Sequence, residues 1–161
     1  MNFRPLLAFA ATALAIGAAQ AQAPAYPPYG ANITLEQARK AAAGASAEAH
    51  KRGWPMAIAV VDTAGQLVYF EKNDQTQTAS IAIAQDKAVT AATLRRSTKV
   101  IQDVIAGGGA GIRFMTLRGV TAVEGGVPLT IDGKIVGALG VSGMSSDQDG
   151  EIAKAGVEAF K

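Results

Sequence analysis

The run KIVGALGVSG, residues 134–143, constrains this chain more than any other stretch. From Ile135 to Val141 it carries no polar side chain, and the dipeptide Asp132-Gly133 separates it from GVPLTID, residues 126–132. An Asp-Gly pair between two strand-forming segments favours a two-residue hairpin, because both positions tolerate positive φ. A hairpin makes the pairing antiparallel, and a strand without a polar face must be covered on both sides. The same arrangement occurs earlier: MAIAVVD (56–62) and QLVYFEK (66–72) flank the turn Thr63-Ala64-Gly65. The first of these runs is almost wholly apolar and is expected to be a central strand. The second alternates more, with Leu67 and Tyr69 set against Val68 and Phe70.

Helical spacing accounts for much of the remainder. Thr34 and Gln37 form a capping box, and Leu35, Ala38, Ala42, Ala45 and Ala49 recur at intervals of three and four before Gly53 ends the helix. Residues 79–94 repeat the pattern through Ile81, Ala84, Ala88 and Ala91, with Arg95 and Arg96 closing it. A short third helix, 99–106, is expected behind a Ser97 or Thr98 cap, with Val100, Ile101, Val104 and Ile105 as its buried side. Residues 113–117 read as a short strand. A last helix follows Ser145 or Ser146, with Ile152, Ala155, Val157 and Phe160 apolar and Asp147, Asp149 and Glu151 near its N-terminus, where the helix dipole favours carboxylates. The order implies an α/β protein of the α+β type: a mainly antiparallel sheet with helices on both faces.

The first residues point to export. MNFRPLLAFAATALAIGAAQAQA has a positive start at Arg4, an apolar stretch from Leu6 to Ala19 broken only by Thr12, and small residues suited to cleavage after Ala21 or Ala23. Residues 1–21 are therefore read as a signal peptide, 22–32 as a flexible Pro- and Gly-rich arm, and 33–161 as a single domain. The expected location is periplasmic or secreted, with no transmembrane anchor after cleavage.

Several chemistries are excluded. The 161 residues contain no cysteine, which removes disulfides and zinc–thiolate sites, and with His50 the only histidine and no Gly-x-Ser-x-Gly elbow nothing marks a Ser-His-Asp triad. Fifteen basic and 13 acidic residues leave a net charge of +2, too little for a general nucleic-acid binder. AGGGAGIR, residues 106–113, resembles a phosphate loop at first sight. A dinucleotide fingerprint opened by Gly107 and Gly109 would need a third glycine at 112, where Ile112 stands, and the loop leaves a helix instead of a strand. No Gly-Lys-Ser or Gly-Lys-Thr tripeptide exists either. The loop is read as the glycine-rich end of the third helix, with amides of Gly107, Gly108 and Gly109 and the Arg113 side chain available to an anion.

Carboxylate chemistry stays open. Asp62 ends a strand, Asp86 and Lys87 lie mid-helix on what reads as a solvated face, and Glu124 precedes Gly125-Gly126. Glycines beside a carboxylate let a ligand approach the main chain closely, which places Glu124 first among them. An enzymatic reading would use Lys87 or Arg96 to hold a small carboxylate and Glu124 to move a proton.

IAVVDTAGQLV, SIAIAQDKAVTAATLRRSTK, AGGGAG, VEGGVPLTIDGKIVGALGVSG and SDQDGEIAKAG together resemble the GlcG/HbpS family of haem-binding and haem-degrading-type domains, which is also similar to the C-terminal domain of PduO-type proteins. The resemblance spans about residues 33–160. It implies a profilin-like five-stranded antiparallel sheet, assembly into homo-oligomers, and haem as ligand, beside which a small-carboxylate ligand and an oligomeric accessory protein without its own ligand stay open as alternatives. The chain departs from the family in two places, carrying Ser97 where many members have proline and Gln66 where many have histidine. His50 is then the only imidazole that can hold haem iron, with Met56, Met115, Met144 and Tyr69 as weaker donors. Lys87, Arg96, Arg113 and the AGGGAGIR backbone supply partners for the propionates.

Overall fold

A computed structural model describes residues 26–161, so the expected signal peptide lies outside the described residues. The chain runs α1 (Leu35–Arg52), β1 (Ala57–Asp62), β2 (Leu67–Lys72), α2 (Ser80–Thr93), α3 (Thr98–Ala106), a 3-10 helix (Gly109–Thr116), β3 (Gly126–Ile131), β4 (Lys134–Ser142) and α4 (Ser146–Phe160). The sheet has the order β2-β1-β4-β3, and every neighbouring pair is antiparallel. Both hairpins form, and Asp132 and Gly133 adopt φ of 50° and 71° in the turn, as an Asp-Gly hairpin requires.

The described sheet has four strands, not the five expected. The segment expected as a strand at 113–117 is largely 3-10 helix. Gly111 is the physical reason. Its Cα lies so close to the Val104 backbone that a Cβ there would be 2.8 Å from the Val104 carbonyl carbon, and the chain folds back on α3 before it can extend.

The two central strands are the two apolar runs. β1 is buried from Ala57 to Val61 and β4 from Ile135 to Ser142, whereas β2 is only partly covered. Pro128, which cannot complete a ladder on both sides, sits in edge strand β3. On one face α1 and α4 cover Ile58, Val60, Leu129, Leu139 and Val141. On the other, α2 lays Ala84, Ala88 and Ala91 on Ala57, Ala59, Val61 and Ala138. Residues 26–32, the described part of the expected arm, lie against the start of β4: Gly30 N donates to Ile135 O at 2.7 Å, and Ile135 N to Pro28 O at 2.8 Å.

Capping follows the sequence where a side chain is free to cap. Thr34 and Gln37 form their reciprocal pair, with Thr34 N to Gln37 Oε1 at 2.9 Å and Gln37 N to Thr34 Oγ1 at 3.2 Å. Gly53 ends α1 at φ 69°. α3 corrects one expectation. Ile101 is buried, but Val100 and Val104 are exposed and Ile105 only half-buried, because the helix touches α2 and β3 along a single narrow line.

Small residues set the layer spacing. A Cβ at Gly140 would lie 2.6 Å from Ala88 N, and one at Gly156 would lie 2.9 Å from Ala41 O. Neither neighbour is a flexible side-chain end that can move aside. Gly140→Ala is therefore expected to lower the unfolding free energy by about 1–3 kcal/mol, and Gly140→Val by more, through overpacking. Urea unfolding followed by circular dichroism checks this; a Gly140→Val protein as stable as the parent would show that α2 does not rest on β4 as described.

Candidate functional site

The expected ligand-binding residues separate into three places. The first is internal. Lys87 projects from the middle of α2 toward the end of β4 and is 1% exposed, although its position reads as a solvated helix face. The neighbouring Asp86 is exposed, as expected. The Lys87 ammonium donates to Asp149 Oδ2 at 2.6 Å and to Val141 O at 3.1 Å. Asp149 belongs to the first turns of α4, and its other oxygen accepts from Met144 N at 3.1 Å. Burial pushes the Asp149 carboxyl above the usual carboxylate range, while Lys87 and the Met144 and Gly143 amides pull it down. Lys87 is thus engaged inside the protein and is not presented to a carboxylate or propionate.

The glycines expected to admit a ligand instead admit the protein itself. Gly125, at φ 127°, passes over the ion pair, and a Cβ there would lie 2.9 Å from Lys87 Nζ and 2.6 Å from Val141 O. At Gly126 a Cβ would lie 2.7 Å from Thr98 Cγ2. Thr98 Oγ1 accepts from Gly126 N at 2.9 Å, which explains why Thr98 faces inward and makes no cap for α3. Glu124 is half-buried, its carboxylate lies over Gly150 of α4, and its amide donates to Gln102 Oε1 at 2.8 Å. Glu124 and Lys87 thus meet neighbouring residues of α4, Glu124 lying over Gly150 and Lys87 bonding Asp149.

The second place is the AGGGAGIR loop with Arg96. Of the expected amides, Gly107 N donates to Asp103 O and Gly108 N to Ile105 O, so these two close the end of α3. Arg113 is exposed. Arg96 is stacked on the Tyr26 ring, with its guanidinium carbon 4.0 Å from the ring centroid.

The third place holds His50. It is exposed on the last turn of α1 and lines a cavity of about 170 Å³ together with Ser46, Trp54, Met56, Ile58 and Glu71. The Tyr69 phenol donates to Glu71 Oε2 at 2.8 Å. That hydrogen bond, with burial, raises the phenol above its ordinary value, which disfavours the phenolate an iron would need. Met56 is buried beside this cavity, whereas Met144 and Met115 are exposed elsewhere. His50 and Arg96 do not meet: α1 lies on one face of the sheet and α2 on the other. His50 is beside the start of β1 and the end of α2 is beside the β1–β2 turn, a separation of about 20 Å along a six-residue strand. Among the described residues no group of three or more His, Asp or Glu side chains forms a metal site.

Sequence reasoning missed the Lys87–Asp149 pair. The available signal was Lys87 in register with Ala84, Ala88 and Ala91, which places it on the edge of the helix's buried stripe. Removing one member leaves a buried charge without its partner, so Asp149→Leu alone is expected to cost about 3–5 kcal/mol. The double variant Lys87→Met, Asp149→Leu is expected to cost clearly less than the two single changes combined. A double-mutant cycle by urea unfolding measures this, and additive losses would show that the two groups are not coupled.

Comparison with known proteins agrees with this architecture. The family model described as haem degrading protein HbpS-like matches residues 33–158. Protein GlcG of Escherichia coli is 38% identical over 110 residues, covering 68% of this chain and 81% of that protein. An uncharacterized 15.0 kDa protein of the dhaT-dhaS intergenic region of Citrobacter freundii is 33% identical over 132 residues, covering 81% of this chain and 93% of that one. Among solved structures, HbpS aligns with a TM-score of 0.75 at 31% identity, over 82% of this chain and 92% of that chain. The complex of PduOC with haem aligns with a TM-score of 0.73 at 27% identity, over 80% and 94%. With matching sequence blocks and matching architecture over most of its length, the chain belongs to the HbpS-like family.

Proposed function

We propose that this protein binds haem at the outer end of α1, with His50 as the iron ligand. One observation carries the reading: the only histidine of the chain is exposed at the mouth of a cavity floored by Trp54, Met56 and Ile58. Imidazole is a common protein donor to haem iron, and Trp54, Met56 and Ile58 add apolar contact to a cavity otherwise lined by Ser46, Glu71, Lys72 and Asn73. Lys72 lines the same cavity and offers a cation to a propionate. The cavity is smaller than the roughly 300–1,000 Å³ that encloses a whole drug-sized ligand. A haem there would be only partly enclosed. It would supply a redox-active iron, with His50 as the residue to hold it and Trp54 and Met56 as its apolar neighbours. A relative of similar fold was solved as a haem complex, which supports the same ligand class here.

Titrating the purified protein with hemin is expected to give a saturable Soret shift at micromolar concentration. His50→Ala is expected to weaken binding at least about tenfold and to change the spectrum of whatever complex remains. Absence of a saturable shift in the parent protein defeats the reading, and an unchanged His50→Ala spectrum removes His50 as the ligand.

We further propose that the protein works outside the cytoplasm. The support is the three-part signal of residues 1–21. Expression of the full chain in a Gram-negative host is expected to yield a periplasmic product beginning at Gln22, read by N-terminal sequencing. A cytoplasmic product that retains Met1 or Asn2 would refute export.

A further inference from the structure

Exposed apolar side chains of α3 and the 3-10 helix form a surface that the haem reading does not use. Val100 and Val104 lie one turn apart on the outer side of α3. Ile112 and Met115, 52% and 70% exposed, lie three residues apart on the 3-10 helix, a spacing that eclipses side chains on one side of it. Val104 joins the two rows, since a Cβ at Gly111 would lie 3.0 Å from its Cγ1. Leu117 extends the surface and is also exposed.

Charge is concentrated in the same stretch. Residues 95–118 contain Arg95, Arg96, Lys99, Arg113 and Arg118 against the single carboxylate of Asp103. The segment therefore carries +4, while the whole chain carries +2 and the remainder is net negative. Lys99 pairs with Asp103 at 2.5 Å; among the described residues the four arginines form no ion pair. Arg96 is held between Tyr26 and Phe114, with ring centroids 4.0 and 6.0 Å away, so its charge stays at the edge of the apolar surface.

From this juxtaposition we propose that the outer face of α3 and the 3-10 helix docks the protein on an anionic lipid surface. Exposed aliphatic side chains bordered by arginines match an interface in which the apolar groups enter the acyl boundary and the cations meet phosphate. A second copy of this chain fits less well, because a two-fold contact on this face would bring two sets of the same arginines together. Nucleic acid fits less well too, since the exposed side chains of the face, Val100, Val104, Ile112 and Met115, offer no surface on which bases stack.

The test is co-sedimentation of the full chain with vesicles of phosphatidylglycerol and, separately, of phosphatidylcholine. Binding to phosphatidylglycerol is expected to be at least about tenfold tighter and to weaken in high salt. Ile112→Asp with Met115→Asp, and separately Arg113→Glu with Arg118→Glu, are expected to reduce it by at least about tenfold. All four positions are exposed, so circular dichroism and the hemin titration should remain as in the parent. The variants change these positions alone, so binding carried by any other part of the chain would survive in both and overturn the proposal. Equal binding to the two lipids would overturn it as well. So would absence of vesicle binding with self-association that the Ile112→Asp, Met115→Asp protein loses in sedimentation velocity, an outcome that would assign the face to contact between copies.

Discussion

The close approach of α2 to β4 is the constraint on which the rest of the structure depends. It exists because Gly140 has no side chain where Ala84 and Ala88 cross it, and those alanines are nearly as small. With the helix this near the sheet, the four-carbon stem of Lys87 reaches past β4 to the first turns of α4. The ammonium then holds together elements distant in sequence: α2, the end of β4, α4, and the Gly125-Gly126 segment that crosses above it. A bulkier residue at 140 would lift α2 and carry Lys87 out of reach of Asp149. Two features that look independent in the sequence, an apolar strand with scattered glycines and a lysine inside an alanine-rich helix, are parts of one packing arrangement.

This arrangement decides where ligand chemistry can occur. A buried ion pair costs several kcal/mol per ion in desolvation and is tolerated only where its hydrogen bonds are completed. Lys87 and Asp149 bond each other, Val141 O and Met144 N, which holds both side chains inside the protein. Glu124 keeps partial exposure, but its prospective cation is bonded to Asp149. Binding is left to the periphery, where α1 ends at His50 on one side of the sheet and α3 runs into the 3-10 helix on the other.

The sequence made the regular elements legible and concealed the irregular ones. Alternation, the Asp-Gly turn and the Thr34–Gln37 cap act between residues close in the chain, so both hairpins and α1 follow from local physics. The apolar character of β1 and β4 placed them at the centre of the sheet because no other position buries both faces. The expected fifth strand failed because extended propensity at 113–117 yields to a tertiary contact, Gly111 against Val104, which no local pattern reveals. Of the two candidate caps of α3, Ser97 takes the N-cap position while Thr98 turns inward, and Lys87, read as a solvated cation, does the same; each is diverted by a partner more than 25 residues away. The glycines around Glu124 did signal a close approach to the main chain, but the approaching group proved to be the protein's own lysine.

The separation of charge gives the peripheral sites their relation to each other. Lys87, Arg96 and Arg113 can all serve as partners for one anionic ligand as long as only residue types are considered. The fold assigns them differently: the lysine to the interior, the arginines to the border of an apolar face, and His50 to the opposite side of the sheet. A single haem cannot span these places, so the arginines need an anion of their own. A bilayer is extended enough to meet four of them at once and apolar enough to take Ile112 and Met115. Such a surface accounts for a segment of charge +4 within a chain whose net charge is only +2.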